Sequence, residues 1–204
     1  MKMEASVRLR ALAIAVTSGV MLLVPLGGIV SLGGIALAAP ASPSPASDPA
    51  GSSIITIGDS VMLGARWVLE KDGIEVVDAV KNRQASAGSG LLKKRGSNLP
   101  MNVVVHLGTN GTFTADDCRA MIAAAGPTRR VFFLTLAVPR PWEAKNNTVI
   151  RNCVSANPGR AFVIDWNASV AQHPKWVYSD GTHLRPVGAK GYSRMIEQAV
   201  AAAS

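Results

Sequence analysis

Four side chains of the types that together perform acyl transfer are spread along the chain: Ser60 in IGDSV, Asn110 in HLGTNG, and Asp180 with His183 in YSDGTH. A serine hydroxyl is a weak nucleophile near pH 7 until a base takes its proton, and imidazole is the side chain best suited to that task. Asp180 lies three residues before His183. One turn-like loop can therefore hold both and let the carboxylate fix the imidazole tautomer, as in a Ser-His-Asp triad. Asn110 offers an amide N–H to a developing oxyanion, beside the backbone N–H of Ser60, and such donors are each worth on the order of 10²–10³ in rate. Each residue also has a plainer reading. Ser60 can be a helix N-cap, Asn110-Gly111 and Asp180-Gly181 are turn pairs, and His183 can cap the last helix.

The elements that carry these residues decide between the readings. The stretch from Ile54 to Ala65 runs from β-branched residues through Gly58 into a helical pattern, which predicts strand, tight turn and a helix to about Lys71. Further strands are predicted at Ile74–Val80, Met101–Leu107, Val131–Val138 and Ala161–Asp165. Helices are predicted near Leu91–Arg95, at Ala115–Ala125, Trp142–Ala156 and Pro186–Ala203, with a helical turn at Ala168–Gln172. Strands alternating with helices imply an α/β fold with a doubly wound sheet of about five parallel strands, covered on both faces. Ligands bind at the carboxyl edge of such a sheet. Ser60 follows the first strand, Asn110 the third, and Asp180 with His183 the fifth, so the topology brings all four to that edge.

The other polar and aromatic residues carry weaker signals. Asp59 is expected to tie the turn or the loops together rather than act as base, His106 to pack inside a strand, and His173 to lie exposed in a loop. Trp142, Trp176 and Tyr178 fall in predicted edge loops, where they can stack on a sugar or simply pack; Arg140, Trp142 and Tyr178 are taken as candidate substrate contacts. Cys118 and Cys153 are the only cysteines and lie on separate predicted helices. An even pair in an exported protein points to a disulfide, with two buried free thiols as the alternative. No histidine accompanies them at ligand spacing, so no metal is expected, and no cofactor is implied.

Composition sets the setting. Residues 1–39 combine Lys2, Arg8 and Arg10 with a run from 11 to 39 that carries no charge, ending in the A-L-A pattern at Ala36–Ala38. That describes a signal peptide, or a single membrane anchor if it is not cleaved. Either places the remainder outside the cytoplasm, secreted or held at the outer face of the membrane. Residues 40–53 are rich in Pro, Ala and Ser, a linker composition, so the folded domain is expected at 54–204. The formal charge of +8 is spread out, and its clusters, Lys93-Lys94-Arg95 and Arg129-Arg130, lack interleaved aromatics. Nucleic acid is therefore not expected as a partner.

GDSV at 58–61, GTNG at 108–111 and SDGTH at 179–183 resemble the first, third and fifth blocks of the SGNH (GDSL-type) hydrolase superfamily. Together with HLGTNG, VPRPWEAKNN and YSDGTHLRPVGAKGY, they are most similar to the extracytoplasmic SGNH domain of bacterial peptidoglycan O-acetyltransferases, across nearly all of residues 54–192. The resemblance implies a flavodoxin-like three-layer α/β/α fold, Ser60 as nucleophile, His183 as base, Asp180 as its orienter and Asn110 as oxyanion donor. It also implies an acyl-serine intermediate formed from an acyl-ester donor, with an envelope glycan or water as acceptor. The chain departs from the pattern in its second block. KNRQASAGSG has no glycine before Gly88, so the second-block backbone donor is assigned to Gln84 or Ala85. A separate membrane acyltransferase is the implied source of acetyl groups. The rival readings are a secreted esterase, lipase or thioesterase on other acyl esters, and a wall-glycan-binding module without catalysis.

Overall fold

The computed structural model describes residues 53–204 except Glu75, so the expected export segment and nearly all of the 40–53 linker lie outside the described residues. Strands β1 (Ile54–Gly58), β2 (Val76–Ala79), β3 (Asn102–His106), β4 (Arg130–Leu134) and β5 (Ala161–Ile164) form one parallel sheet in the order β2-β1-β3-β4-β5. β1 lies between β2 and β3, with Gly58 level with both Ala79 and His106. The chain thus leaves β1 toward one side of the sheet and resumes on the other at β3. That reversal opens a crevice at the carboxyl ends of β1 and β3, where open α/β sheets bind ligands.

Helices cover both faces. Leu92 of α2 (Gly88–Arg95), Met121 of α3 (Ala115–Ala125) and Ile150 of α4 (Glu143–Ser155) share one core with Val103 and Val105. Val61 of α1 (Ser60–Lys71), Trp166 of α5 (Trp166–Gln172) and Tyr192 of α6 (Pro186–Ala202) share the other with Val104 and Phe132. Alternate residues of β3 feed opposite cores and all five are buried, which is why this strand reads as a continuous apolar run. Each fully buried valine there contributes roughly 1.5–3 kcal/mol of transfer free energy.

Several boundaries differ from expectation for local reasons. The second strand is shorter, Val76–Ala79. The loop predicted over Lys81–Gly90 is partly helical: a 3-10 turn at Ala85–Ala87 runs into α2 at Gly88. β4 stops at Leu134 instead of Val138, because Asn147 of α4 takes both backbone groups of Leu136, accepting from its N–H at 2.7 Å and donating to its carbonyl at 2.9 Å. α5 starts early, at Trp166, because the Asp165 carboxylate accepts from the N–H of Ala168 and caps it. Cys118 and Cys153 are joined, linking α3 to α4.

Two features seat the last loop. Val177 and Leu184 pair as an antiparallel bridge, making residues 177–184 a small hairpin whose tip turns at Gly181, φ +68°, a conformation glycine adopts without strain. Beneath it Trp176 packs on Trp166 and His173 and against α6 at Gly188, where an added Cβ would come within 2.0 Å of the Trp176 carbonyl oxygen. Trp176 is therefore a packing residue of the hairpin base rather than a sugar platform.

Candidate active site

The turn after β1 delivers the serine. Asp59, fully buried, is the N-cap of α1, its carboxylate accepting from the N–H of Val61 at 3.0 Å. Ser60 is thus the first residue of the helix rather than its cap, with its own N–H among the unpaired donors at the positive end of the helix dipole. The other Asp59 oxygen accepts from the Thr109 hydroxyl, and the Asp59 N–H donates to the His106 carbonyl at 3.2 Å. One buried carboxylate therefore ties the serine turn to the loop after β3, the binding role expected of it.

The hairpin delivers His183, the candidate base. Its Nε2 lies 3.1 Å from Ser60 Oγ, and its Nδ1 lies 2.7 Å from Asp180 Oδ2. Asp180 Oδ1 accepts from the N–H groups of Thr182 at 2.9 Å and His183 at 3.0 Å, so the three-residue spacing closes a turn on the carboxylate itself. Burial raises the Asp180 carboxyl, but the imidazole and these two N–H groups outweigh it and hold it below the ordinary carboxylate range. An ionised carboxylate on Nδ1 favours the tautomer that leaves Nε2 as acceptor toward the serine hydroxyl. Both side chains are about half exposed, 51% for His183 and 49% for Asp180.

Ser60, Asn110, Asp180 and His183 line one pocket of about 480 Å³ with Thr109, Val138, Pro139, Arg140, Ser179 and Thr182. Its walls are mostly polar. The Asn110 amide donates to the Arg83 carbonyl and to Thr109 Oγ1 at 3.4 Å each, contacts long enough to be exchanged for a stronger acceptor. Of the other expected contacts, Arg140 lines the pocket, whereas Trp142 precedes α4 and Tyr178 faces an adjoining cleft. Gln84 and Ala85 do not line it either. The Gln84 side chain instead donates to the Asn110 carbonyl at 3.3 Å, and Ala85 is buried at the start of its 3-10 turn.

Three residues that the sequence reading passed over hold these loops. Asn146, completely buried on α4, donates to the carbonyls of Gly108 at 3.1 Å and Gly111 at 2.8 Å and accepts from the N–H of Phe113 at 3.0 Å, clamping the loop that carries Asn110. Asn147 fixes Leu136, at the start of the segment leading to Arg140. The Arg83 guanidinium donates to the carbonyl of Gly58 at 3.2 Å and to Asp78 Oδ1 at 2.8 Å, pinning the ends of β1 and β2. A signal for Asn146 existed: with Ile150 and Cys153 it falls on the buried stripe of α4, where an apolar residue is the rule.

His106 is buried as expected. Its Nδ1 meets the Tyr192 hydroxyl at 2.9 Å, its Nε2 has no partner, and burial pushes it down to about 4 against a smaller opposing pull from Asp59. His173 is exposed.

Comparison with known proteins agrees with this architecture. No family model matches the chain. It is 33% identical over 150 residues to a Bacillus subtilis protein named as a candidate peptidoglycan O-acetyltransferase, YrhL, covering 72% of this chain but only 23% of that relative's length. The solved C-terminal catalytic domain of Streptococcus pneumoniae peptidoglycan O-acetyltransferase A (OatA), with a methylsulfonyl adduct, superposes with a TM-score of 0.66 at 22% identity, over 74% of this chain and 94% of that one. A Slackia heliotrinireducens protein described as a candidate SGNH hydrolase superposes at 0.58 with 13% identity, over 72% and 97%.

Proposed function

We propose, on the premise that the chain is an SGNH-type domain similar in sequence to a peptidoglycan O-acetyltransferase, that it is a serine acyltransferase moving acetyl groups onto a cell-envelope glycan such as peptidoglycan. The observation that carries this reading is the continuous path from Asp180 through His183 to Ser60 Oγ in a polar pocket shared with Asn110. Ser60 Oγ attacks the acetyl carbonyl of an ester donor while its proton passes to His183 Nε2. Asn110 Nδ2 and the Ser60 N–H hold the tetrahedral oxyanion, and the proton on His183 goes to the departing alcohol as the ester C–O bond breaks. A sugar hydroxyl then attacks acetyl-Ser60, giving its proton to His183, which returns it to Ser60 Oγ as the acylated sugar leaves.

Two observations refine the chemistry. Only Val138 and Pro139 give the pocket apolar wall, which suits acetyl better than a long acyl chain and disfavours a lipase. His183 and Asp180 are half exposed, so water reaches the acyl-enzyme and hydrolysis competes whenever the acceptor is absent. The domain at 54–204 then acts outside the cytoplasm behind an export segment at 1–39, supplied with acetyl groups by a separate membrane acyltransferase. The reading is tested with an activated acetyl ester, with and without a peptidoglycan oligosaccharide, reading glycan products by mass spectrometry. A Ser60-dependent gain of one acetyl on the glycan is expected. Ser60-dependent acetate release with no glycan product would assign an esterase, and no Ser60-dependent turnover would leave the binding module.

A further inference from the structure

A second cleft begins where the catalytic pocket ends, and Ser179 lines both. It has a volume of about 590 Å³ and is bounded by Lys175, Val177, Tyr178, Arg185 and Val187. Two of its walls are apolar side chains left about half exposed, Tyr178 at 48% and Val187 at 50%. Arg185 is held in place, its Nε donating to the Val177 carbonyl at 3.0 Å and its guanidinium carbon 5.0 Å over the centre of the Tyr178 ring. Neither Lys175 nor Arg185 has an ion-pair partner among the described residues, and no carboxylate lines the cleft. Asp180, close by in the sequence, is committed to His183 and to two N–H groups. Across the pocket Arg140 also lacks an ion pair among the described residues, and residues 53–204 carry 18 Lys and Arg against 11 Asp and Glu.

We propose that this cleft is an acceptor subsite, binding a carboxylate-bearing stretch of glycan beside the sugar that receives the acyl group. The proposal rests on the glycan-acyltransfer reading and extends it to substrate selection. A pocket of about 480 Å³ cannot enclose a polymer, so a polymeric acceptor must continue across the surface. The cleft offers what such a polymer presents. The guanidinium lies over the Tyr178 ring, and the half-exposed ring is of the kind that stacks on the C–H face of a sugar. The terminal nitrogens of Arg185 and the Lys175 ammonium meet carboxylates of the kind carried by lactyl ethers and peptide substituents. Phosphate-bearing wall polymers offer the same charge in a different group, and the experiment separates them.

Binding is measured by calorimetry with the full chain carrying Ser60→Ala, so no turnover is needed. The probes are a peptidoglycan oligosaccharide with free carboxylates, the same oligosaccharide with its carboxylates amidated, and a phosphate-bearing glycerol polymer. The carboxylate form is expected to bind about tenfold tighter than the amidated one, with the preference falling as salt rises. Lys175→Glu should remove the preference and Lys175→Arg keep it, both without effect on hydrolysis of a small acetyl ester in the Ser60 protein. Tyr178→Ala should weaken both glycans alike. Equal binding of the two glycans, a preference that survives Lys175→Glu, or tighter binding of the phosphate polymer would overturn the assignment. Loss of the acyltransfer reading would appear separately, as Ser60-dependent acetate release with no acetylated glycan, or as no Ser60-dependent turnover at all.

Discussion

Asp180 and His106 are two buried or half-buried titratable groups with opposite tasks. Asp180 stays charged because the imidazole and two N–H groups outweigh its burial, and an ionised partner on Nδ1 is what a serine-activating histidine needs. Asp180→Asn keeps the shape but removes the charge and the tautomer preference, so the turnover rate on an activated acetyl ester should fall by about 10³–10⁴ with a far smaller change in KM. An unchanged rate would remove Asp180 from the triad. His106 faces Tyr192 in a dry core, and its folded-state value near 4 lies below the ordinary 6.5. As pH falls the unfolded chain therefore takes the proton first. The stability due to the neutral ring is whole above about pH 6.5 and is lost on the way down to about 4, to the order of 3 kcal/mol. His106→Gln should flatten that part of the stability profile in denaturant titrations, and an identical slope would show that the ring does not control it. Asp180 and His183 were legible together, because three residues of sequence close one turn. The stripe of α4 marks Asn146 as buried, but its partners, like the Gly58 carbonyl that Arg83 meets, lie far away in the chain, and no local pattern names them.

Among the elements, α4 links the site to the rest of the fold. Its Asn146 holds the Asn110 loop, its Asn147 ends β4, and its Cys153 is bound to Cys118 of α3. Asn146→Ala leaves the buried Phe113 N–H and the part-buried Gly111 carbonyl without this partner, and the Gly108 carbonyl with only the longer contact from the Gly111 N–H, a loss on the order of 3 kcal/mol. It should lower the melting temperature, and also the rate by an amount that does not add to that of Asn110→Ala, since both act through one loop. Full additivity of the two would separate the Asn146 clamp from the oxyanion role proposed for Asn110. The disulfide closes a loop across a sequence separation of 35, worth about 4 kcal/mol on the chain-entropy account, whose mechanism is disputed. Reduction should lower the thermal midpoint, and an unchanged midpoint would place the stability of the α3–α4 pair in its packing alone. The elements themselves were legible from alternation and apolar runs, with α3 matching at both ends. Their ends were not where a side chain from another element intervened, as at Leu136.

For the whole molecule, the strand order converts sequence order into a site. Because β1 and β3 are neighbours and the chain diverges between them, residues 60, 110, 180 and 183 meet at one crevice although they are far apart in the chain. The α/β class and the shared edge followed from the pattern of strands and helices. The adjoining cleft of Tyr178 and Arg185 did not, since it depends on how the hairpin packs on α6. The central claim is that acyl transfer runs through a covalent acyl-Ser60, and its most direct measurement is rapid quenching of the protein with an activated acetyl ester, followed by intact mass and peptide mapping. The expected result is one acetyl group on the peptide containing Ser60, absent in Ser60→Ala and discharged when a glycan acceptor is added. Acetylation at another residue, or the same label in Ser60→Ala, would contradict the account.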